Sequence, residues 1–326
     1  MATDISRIAV MTSGGDSPGM NAAIRAVART AIHHNIEVYG IRQAFLGLVN
    51  GDFERMNSRA VSGIIQQGGT ILQTARLPEF QDKNYQRKAI RSLNEHSIDA
   101  LIVIGGDGSL QGAASLQEAG ICVAGIPASI DNDIWGTASA IGVDTALNTI
   151  IESIDRLRDT ASSHERVFLV EVMGRNSGYL ATVSGIVTGA EIVLIPEQEF
   201  SMEQMSILLE DAYLKGKSHG LVIVAEGANL KVNEIADTLN KNHDIGFEVR
   251  VTILGHVQRG GRPSAYDRLL ATRFGVAAVE ALIQGKSGVM MALEGTNVVP
   301  RPLEEVTGKQ RPINPQFVAI AEILGR

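Results

Sequence analysis

Short unbroken apolar runs alternate along this chain with longer stretches in which apolar positions recur every three or four residues. The runs Ile8–Met11, Ile36–Ile41, Ala100–Ile104, Cys122–Ile126, Val167–Val172, Ile192–Ile195, Leu221–Ala225 and Val249–Leu254 predict buried strands. Their β-branched character and lack of polar alternation suit parallel strands covered on both faces. Helical periodicity marks Asn21–His33, Arg87–Glu95, Ala146–Arg158, Met202–Lys215 and Ala265–Gln284. Strand and helix therefore alternate throughout, which predicts an α/β protein of doubly wound parallel sheets, Rossmann-like in plan. The 326 residues exceed one ordinary core and suit two domains of about 150 residues each. No low-complexity linker separates two halves, so two similarly built domains with exchanged chain segments are expected.

Composition adds constraints. There are 34 Gly against 8 Phe, 5 Tyr and 1 Trp. Without a triplet period, that glycine content predicts many tight turns where backbone approaches a ligand or another element. The net charge of -7, with no Lys/Arg stripe, provides no basic field to hold nucleic acid. Positive charge for a polyanionic substrate must then be concentrated locally. The single cysteine, Cys122, reads as a buried strand thiol, which leaves no disulfide framework or cysteine metal site. Met1–Arg7 lacks a basic stretch followed by an apolar one, and no uncharged apolar segment reaches the roughly 18 residues that span a bilayer. A cytoplasmic protein with no membrane or nucleic-acid partner is expected.

Several predicted strands end in glycine, and in open α/β sheets ligands sit beyond the carboxyl ends of the strands. The segment Thr12-Ser13-Gly14-Gly15-Asp16-Ser17-Pro18-Gly19-Met20-Asn21 follows a strand and opens a helix, so small residues leave backbone N–H groups facing an anion. It is not a Walker A loop. The Gly-Lys-Ser tripeptides at Gly216 and Gly285 have Asp211 and Glu280 where that motif needs its first glycine, and both read as helix-terminal surface. In Gly105-Gly106-Asp107-Gly108-Ser109, glycines surround one carboxylate before a helix expected from Ser109. Amides there can hold phosphate oxygens while Asp107 reaches Mg2+, a hard cation that prefers oxygen ligands. Pro127-Ala128-Ser129-Ile130-Asp131-Asn132-Asp133 sets two carboxylates close together after a buried strand, a repulsion relieved beside a metal or a substrate hydroxyl. Arg76, Arg166 (after Ser162–Glu165), Arg175, Arg250 and Arg259 form a scattered group, most of them near glycine turns. Guanidinium groups bind phosphate bidentately, so the group suits a substrate with more than one phosphate. His256 reads as a hydrogen-bonding loop residue.

Taken in order, Ser13–Asp16, Gly105–Ser109, Ile130–Asp133, Met173–Arg175 and Gly255–Gly261 resemble the 6-phosphofructokinase family. Arg156–Thr160 and Ala265–Arg268 extend the resemblance to residues 7–275, and little signal lies beyond residue 285. The resemblance implies ATP-dependent phosphorylation of fructose 6-phosphate. Residues 1–141 plus 257–304 would bind ATP, and residues 142–256 plus 305–326 the sugar phosphate. It further implies that Asp131 is the general base for the C1 hydroxyl, flanked by Ser129 and Ile130, and that Arg175 steadies the phosphoryl group in flight. Asp107 would serve Mg2+, with Asp133 a second candidate. Gly15, Arg76, Leu77, Gly106, Asp107, Gly108 and Ser109 would contact ATP. Met173, Gly174, Glu226, His256 and Arg259 would hold the sugar phosphate, with Arg166 and Arg250 reaching in from a neighbour in a homotetramer. Arg25, Arg29, Arg59, Arg158, Glu191, Lys215 and Lys217 match an effector site that takes ADP and phosphoenolpyruvate in that family.

The chain departs from the family pattern in places. Ala128-Ser129 stands where Gly-Thr is usual, and Trp135 replaces a more usual polar residue. Serine keeps the hydroxyl. Pyrophosphate-using relatives carry Asp at the position of Gly108 and Lys at that of Ala128; an Asp at 108 would crowd the α-phosphate of ATP, so Gly108 favours ATP. A pyrophosphate-dependent enzyme, a Gly-Gly-Asp-Gly kinase acting on NAD or a lipid, and a non-catalytic nucleotide-sensing subunit are the alternatives. The second explains Asp107 but neither the Asp131–Asp133 motif nor Arg175. The third would be expected to have lost Asp131 or Arg175.

Overall fold

The computed structural model describes residues 5–161, 166–217, 219–241 and 247–325. Ser162–Glu165, which precede Arg166, lie outside the described residues, as do Met1–Asp4. The chain divides into two compact units.

The first unit comprises Met1–Thr145 and Arg259–Arg311. Its strands are β1 (Arg7–Ser13), β2 (Glu37–Ile41), β3 (Phe53–Met56), β4 (Ala100–Gly105), β5 (Cys122–Pro127), β10 (Val289–Glu294) and β11 (Asn297–Pro302). They form one seven-stranded sheet in the order β11-β10-β5-β4-β1-β2-β3. Ile8 and Val10 of β1, Ile102 and Ile104 of β4, and Ile126 of β5 pack under Ile24 and Val27 of α1 (Met20–His33) and Phe274 of α9 (Ala265–Ile283). Helices α2 (Ala44–Asn50) and α3 (Lys83–Glu95) pack against each other in the same unit. Because β1 lies between β2 and β4, strand order reverses there, and the crevice past their carboxyl ends is where such folds bind ligands.

The parallel expectation holds through β2, β1, β4, β5 and β10, and the two edge strands are added antiparallel, β3 to β2 and β11 to β10. Both segments are rich in polar residues or proline and show no apolar run. That is the signature of edge strands, whose outer face and free side meet water. Cys122 begins β5 and is half-buried rather than interior.

The second unit comprises Ala146–Gln258 and Pro312–Arg326. Strands β6 (Arg166–Val172), β7 (Ile192–Leu194), β8 (Gly220–Ala225) and β9 (Glu248–Ile253) form a wholly parallel sheet in the order β7-β8-β6-β9. Val167, Leu169, Val222 and Val224 meet Leu209 of α7 (Met202–Leu214) and Ile235 of α8 (Val232–Lys241) in its core. Helix α6 (Tyr179–Thr188) and α11 (Pro315–Leu324) also belong to this unit, while α5 (Val143–Ala161) carries the chain into it. Here the order turns at β6. Gly216 and Gly285 lie just past the ends of α7 and α9, as helix-terminal residues. Among the described residues no helix is long and apolar enough to cross a membrane.

Candidate active site

Within the first unit a cavity of about 400 Å³ opens at the tips of β1, β4 and β5. Its wall includes Ser13, Gly14 and Gly15 after β1, and Gly106, Gly108 and Ser109 around the start of α4 (Asp107–Glu118). Ala128, Ser129, Ile130 and Asp131 after β5 complete that side, together with Arg259. Helix α4 begins at Asp107, two residues before the expected Ser109, because extended Gly106 serves as its N-cap and an acid suits the first turn of a helix. The first amides of such a helix have no partner inside it and are available to an anion. The Arg259 guanidinium occupies the space a side chain at Gly15 would need, so glycine is what admits this cation beside the β1 tip.

Sequence reasoning missed the other wall. Phe45 of α2 and Phe80 pack with ring centroids 4.1 Å apart. With Ala75, Pro78, Gln81 and Gly112 they line the cavity beside the expected Arg76 and Leu77. Gly112 lies one turn along α4 from Ser109 and receives the edge of Phe45. One face of α4 thus runs from a terminus with open amides to an apolar slot, which suits an elongated ligand with phosphates at one end and a flat ring at the other. Phe45 and Phe80 sit in no glycine motif; only packing brings them here.

The loop after β5 is held by its own side chains. Ser129 Oγ accepts the Asp131 N–H at 3.3 Å and donates to Asp133 Oδ1 at 3.0 Å. Asp133 is therefore engaged within the loop, whereas Asp131 lines the cavity. Buried Asn132 adopts a positive φ of 49°, a conformation Asn tolerates, and its Oδ1 accepts the Ala140 N–H at 3.1 Å. One residue of the Ala265–Arg268 segment, without an expected role of its own, anchors the chain from Gly142 to Thr145. Asp267, wholly buried on α9, accepts from Gly142 N at 2.9 Å, Thr145 N at 2.8 Å and Thr145 Oγ1 at 2.6 Å. Burial pushes its carboxyl up, against the pull of those hydrogen bonds.

The Asp107 carboxylate accepts the Gly308 N–H at 3.0 Å on one oxygen and the Gln111 side-chain amide at 2.6 Å on the other. A carboxylate has about four acceptor positions, so two remain for a cation or its water. Among the described residues no group of three or more His, Cys, Asp or Glu could hold a metal by itself. One carboxylate in the first turn of a helix whose leading amides are open to an anion fits Mg2+, which keeps several waters and arrives largely on its substrate's phosphates.

In the second unit Met173, Gly174 and Arg175 follow β6, Glu226 follows β8 and His256 follows β9, all at the carboxyl ends of the sheet. Buried Gln258 ties two of these tips together, accepting the Met173 N–H at 3.1 Å and donating to Gly255 O at 2.9 Å. Exposed Arg175 lies 3.9 Å from Glu226. Burial, and then the Glu226 charge, raise the Glu171 carboxyl above its usual range. Arg166 and Arg250 lie elsewhere: both pair with Glu248 near the amino ends of β6 and β9, Arg166 at 2.7 Å. Arg158 donates to the Thr188 and Gly189 carbonyls that end α6. Lys217 pairs with Glu191 at 3.3 Å and Lys215 with Asp211 at 2.6 Å. Arg25 and Arg29 of α1, and Arg59, belong to the first unit.

The sequence profile of the family described as Phosphofructokinase matches residues 7–282. ATP-dependent 6-phosphofructokinases of Bacillus thuringiensis (strain Al Hakam) and Bacillus cereus (strain AH187) are each 48% identical over 321 residues, 98% of this chain and 99% of theirs. Among solved structures, phosphofructokinase from Saccharomyces cerevisiae is similar at 39% identity and a TM-score of 0.85, over 92% of this chain but 45% of that one. Pichia pastoris phosphofructokinase in the T-state gives 37% identity and a TM-score of 0.89, over 99% of this chain and 37% of that one, so this chain spans less than half of either yeast chain. A pyrophosphate-dependent phosphofructokinase from Marinobacter aquaeolei shares the fold at 22% identity and a TM-score of 0.86, over 96% of this chain and 86% of that one.

Proposed function

Because the chain belongs to the phosphofructokinase family, we infer that it transfers the γ-phosphoryl group of ATP to the C1 hydroxyl of fructose 6-phosphate, giving fructose 1,6-bisphosphate and ADP in glycolysis. The observation that carries this reading is one cavity in which the Gly106–Ser109 turn, Asp131 and Arg259 meet beside an apolar slot. Phosphoryl transfer asks mainly for alignment and charge stabilisation. The α4 terminus, Gly15 and Arg76 hold the triphosphate; Leu77, Phe45 and Phe80 receive the base. Asp107 carries Mg2+, which neutralises charge on the phosphates when bound. Asp131 takes the C1 hydroxyl proton, Ser129 and Ile130 shape its loop, and Arg175 offsets charge on the transferring group. Met173, Gly174, Glu226, His256 and Arg259 hold the sugar phosphate. The test is a coupled assay for fructose 1,6-bisphosphate with ATP and pyrophosphate side by side. Product with ATP alone is expected; product with pyrophosphate alone overturns the donor assignment.

The finer proposal is a cytoplasmic homotetramer. Arg166 and Arg250 lie away from the strand tips of their own unit, which fits service to a neighbour's site. The effector site for ADP and phosphoenolpyruvate would use Arg25, Arg29, Arg59, Arg158, Glu191, Lys215 and Lys217. The placement of Arg158 at the end of α6 and the Lys217–Glu191 pair support it. Arg158→Ala should abolish the response of the rate to ADP while sparing basal turnover. Unchanged activation in that variant refutes the site.

A further inference from the structure

After β11 the chain makes one short helical turn, α10 (Leu303–Val306), whose Leu303 and Val306 are buried, and then runs through Thr307–Arg311 to the end of the first unit. Thr307 closes the turn, its N–H and its hydroxyl both donating to Leu303 O, at 2.9 and 2.8 Å. Gly308 comes next with φ of 71°, and this left-handed step aims its N–H at Asp107 Oδ1, 3.0 Å away. Two residues on, Gln310 forms an antiparallel bridge with Ile134. The Arg311 N–H then donates to Asp133 O at 2.8 Å, and its guanidinium donates to Ala138 O at 2.8 Å. Three residue steps cover at most about 10 Å. One short stretch therefore grips both the turn that bears Asp107 and the loop that bears Asp131. Sheet pairing holds β4 beside β5 only as far as Gly105 opposite Pro127, so beyond that register the two loops need another tie.

We propose that Gly308 and Gln111 are positioning residues for Asp107, together fixing the plane of its carboxylate so that its remaining acceptor positions serve the metal–nucleotide complex. This rests on the reading of Asp107 as the Mg2+ ligand. Gly308 acts from the brace across the two loops, and Gln111 acts from the next turn of α4. With one donor on each oxygen, the carboxylate cannot rotate without breaking a hydrogen bond. Removing partners that orient a metal ligand typically costs about 10–100-fold in metal affinity or activity. At Gly308 the conformation matters more than space, because a side chain there meets no atom within 4 Å. Asn tolerates positive φ and should keep the N–H in place, whereas β-branched Val resists it.

The experiment measures binding of Mn2+ with ATP by electron paramagnetic resonance, binding of metal-free ATP by equilibrium dialysis, and steady-state kinetics. The variants are Gln111→Met, Gly308→Val, Gly308→Asn and Asp107→Asn. Gln111→Met and Gly308→Val are expected to weaken Mn2+–ATP binding and lower kcat, each within about 10–100-fold. Metal-free ATP affinity and the KM for fructose 6-phosphate should stay near the parent, and Gly308→Asn should recover most of the loss. Equal weakening of metal-free and metal-bound ATP, or parental Mn2+–ATP affinity in Gln111→Met, overturns the proposal. If Asp107→Asn weakens Mn2+–ATP binding while those variants do not, positioning alone fails. If Asp107→Asn has no effect, the metal reading fails and takes the positioning role with it.

Discussion

Asp131→Asn should lower kcat by roughly 10²–10⁴-fold while leaving the affinity for fructose 6-phosphate largely intact. The substitution keeps size and shape but removes the base that accepts the C1 hydroxyl proton. The loop should survive it. Bonds from Ser129 to Asp133, from Asn132 to Ala140 and from the Asp131 N–H to Ser129 Oγ shape it, and all three are retained in the variant. A fall in kcat with little change in the sugar-phosphate KM marks an interaction made only in the transition state. Steady-state kinetics at saturating ATP, with a binding measurement for fructose 6-phosphate, check it. Near-normal turnover removes Asp131 from the role of base.

Gly108→Asp is the second large effect, and it acts on donor choice. Gly108 lines the cavity within the first turn of α4, and a side chain added there meets nothing within 4 Å. The fold should accept the change, since an acid near a helix N-terminus is favourable. The nucleotide should not. A carboxylate about 4 Å from a phosphate charge costs about 4 kcal/mol at an effective dielectric near 20. That corresponds to a loss of about 10²–10³-fold in kcat/KM for ATP. Gly108→Ala adds bulk without charge and should keep most activity. Measuring kcat/KM for ATP in both variants, beside their thermal midpoints, separates repulsion from misfolding. An Asp variant within about fivefold of the parent for ATP would show that residue 108 does not govern the donor.

Most sheet strands made of continuous apolar runs were legible, because burial on both faces leaves no polar position to interrupt them, but β10, whose Met290–Leu293 are buried, was not predicted. The same rule explains the two missed edge strands. β3 with Glu54 and Arg55, and β11 with Pro300 and Arg301, are edges and do not read as runs. Trp135, a departure from the family pattern, is 41% exposed and borders a surface hollow with Arg301 and Arg311. Nothing in its local sequence indicates that setting.

By itself the sequence determined the alternation of strand and helix, and the glycine and acid motifs at the strand tips. Each depends on local conformation or on a short spacing, and both are written in consecutive residues. Only the tertiary structure decided which residues share the cavity. Phe45, Phe80 and Arg259 come from distant segments, and the switch in strand order at β1 brings the β1 and β4 tips together. Gly308, from a stretch with little recognisable signal, reaches Asp107 across 201 positions of sequence. Such a hydrogen bond leaves no periodicity or motif in the chain, since its geometry exists only once the sheet has closed around it.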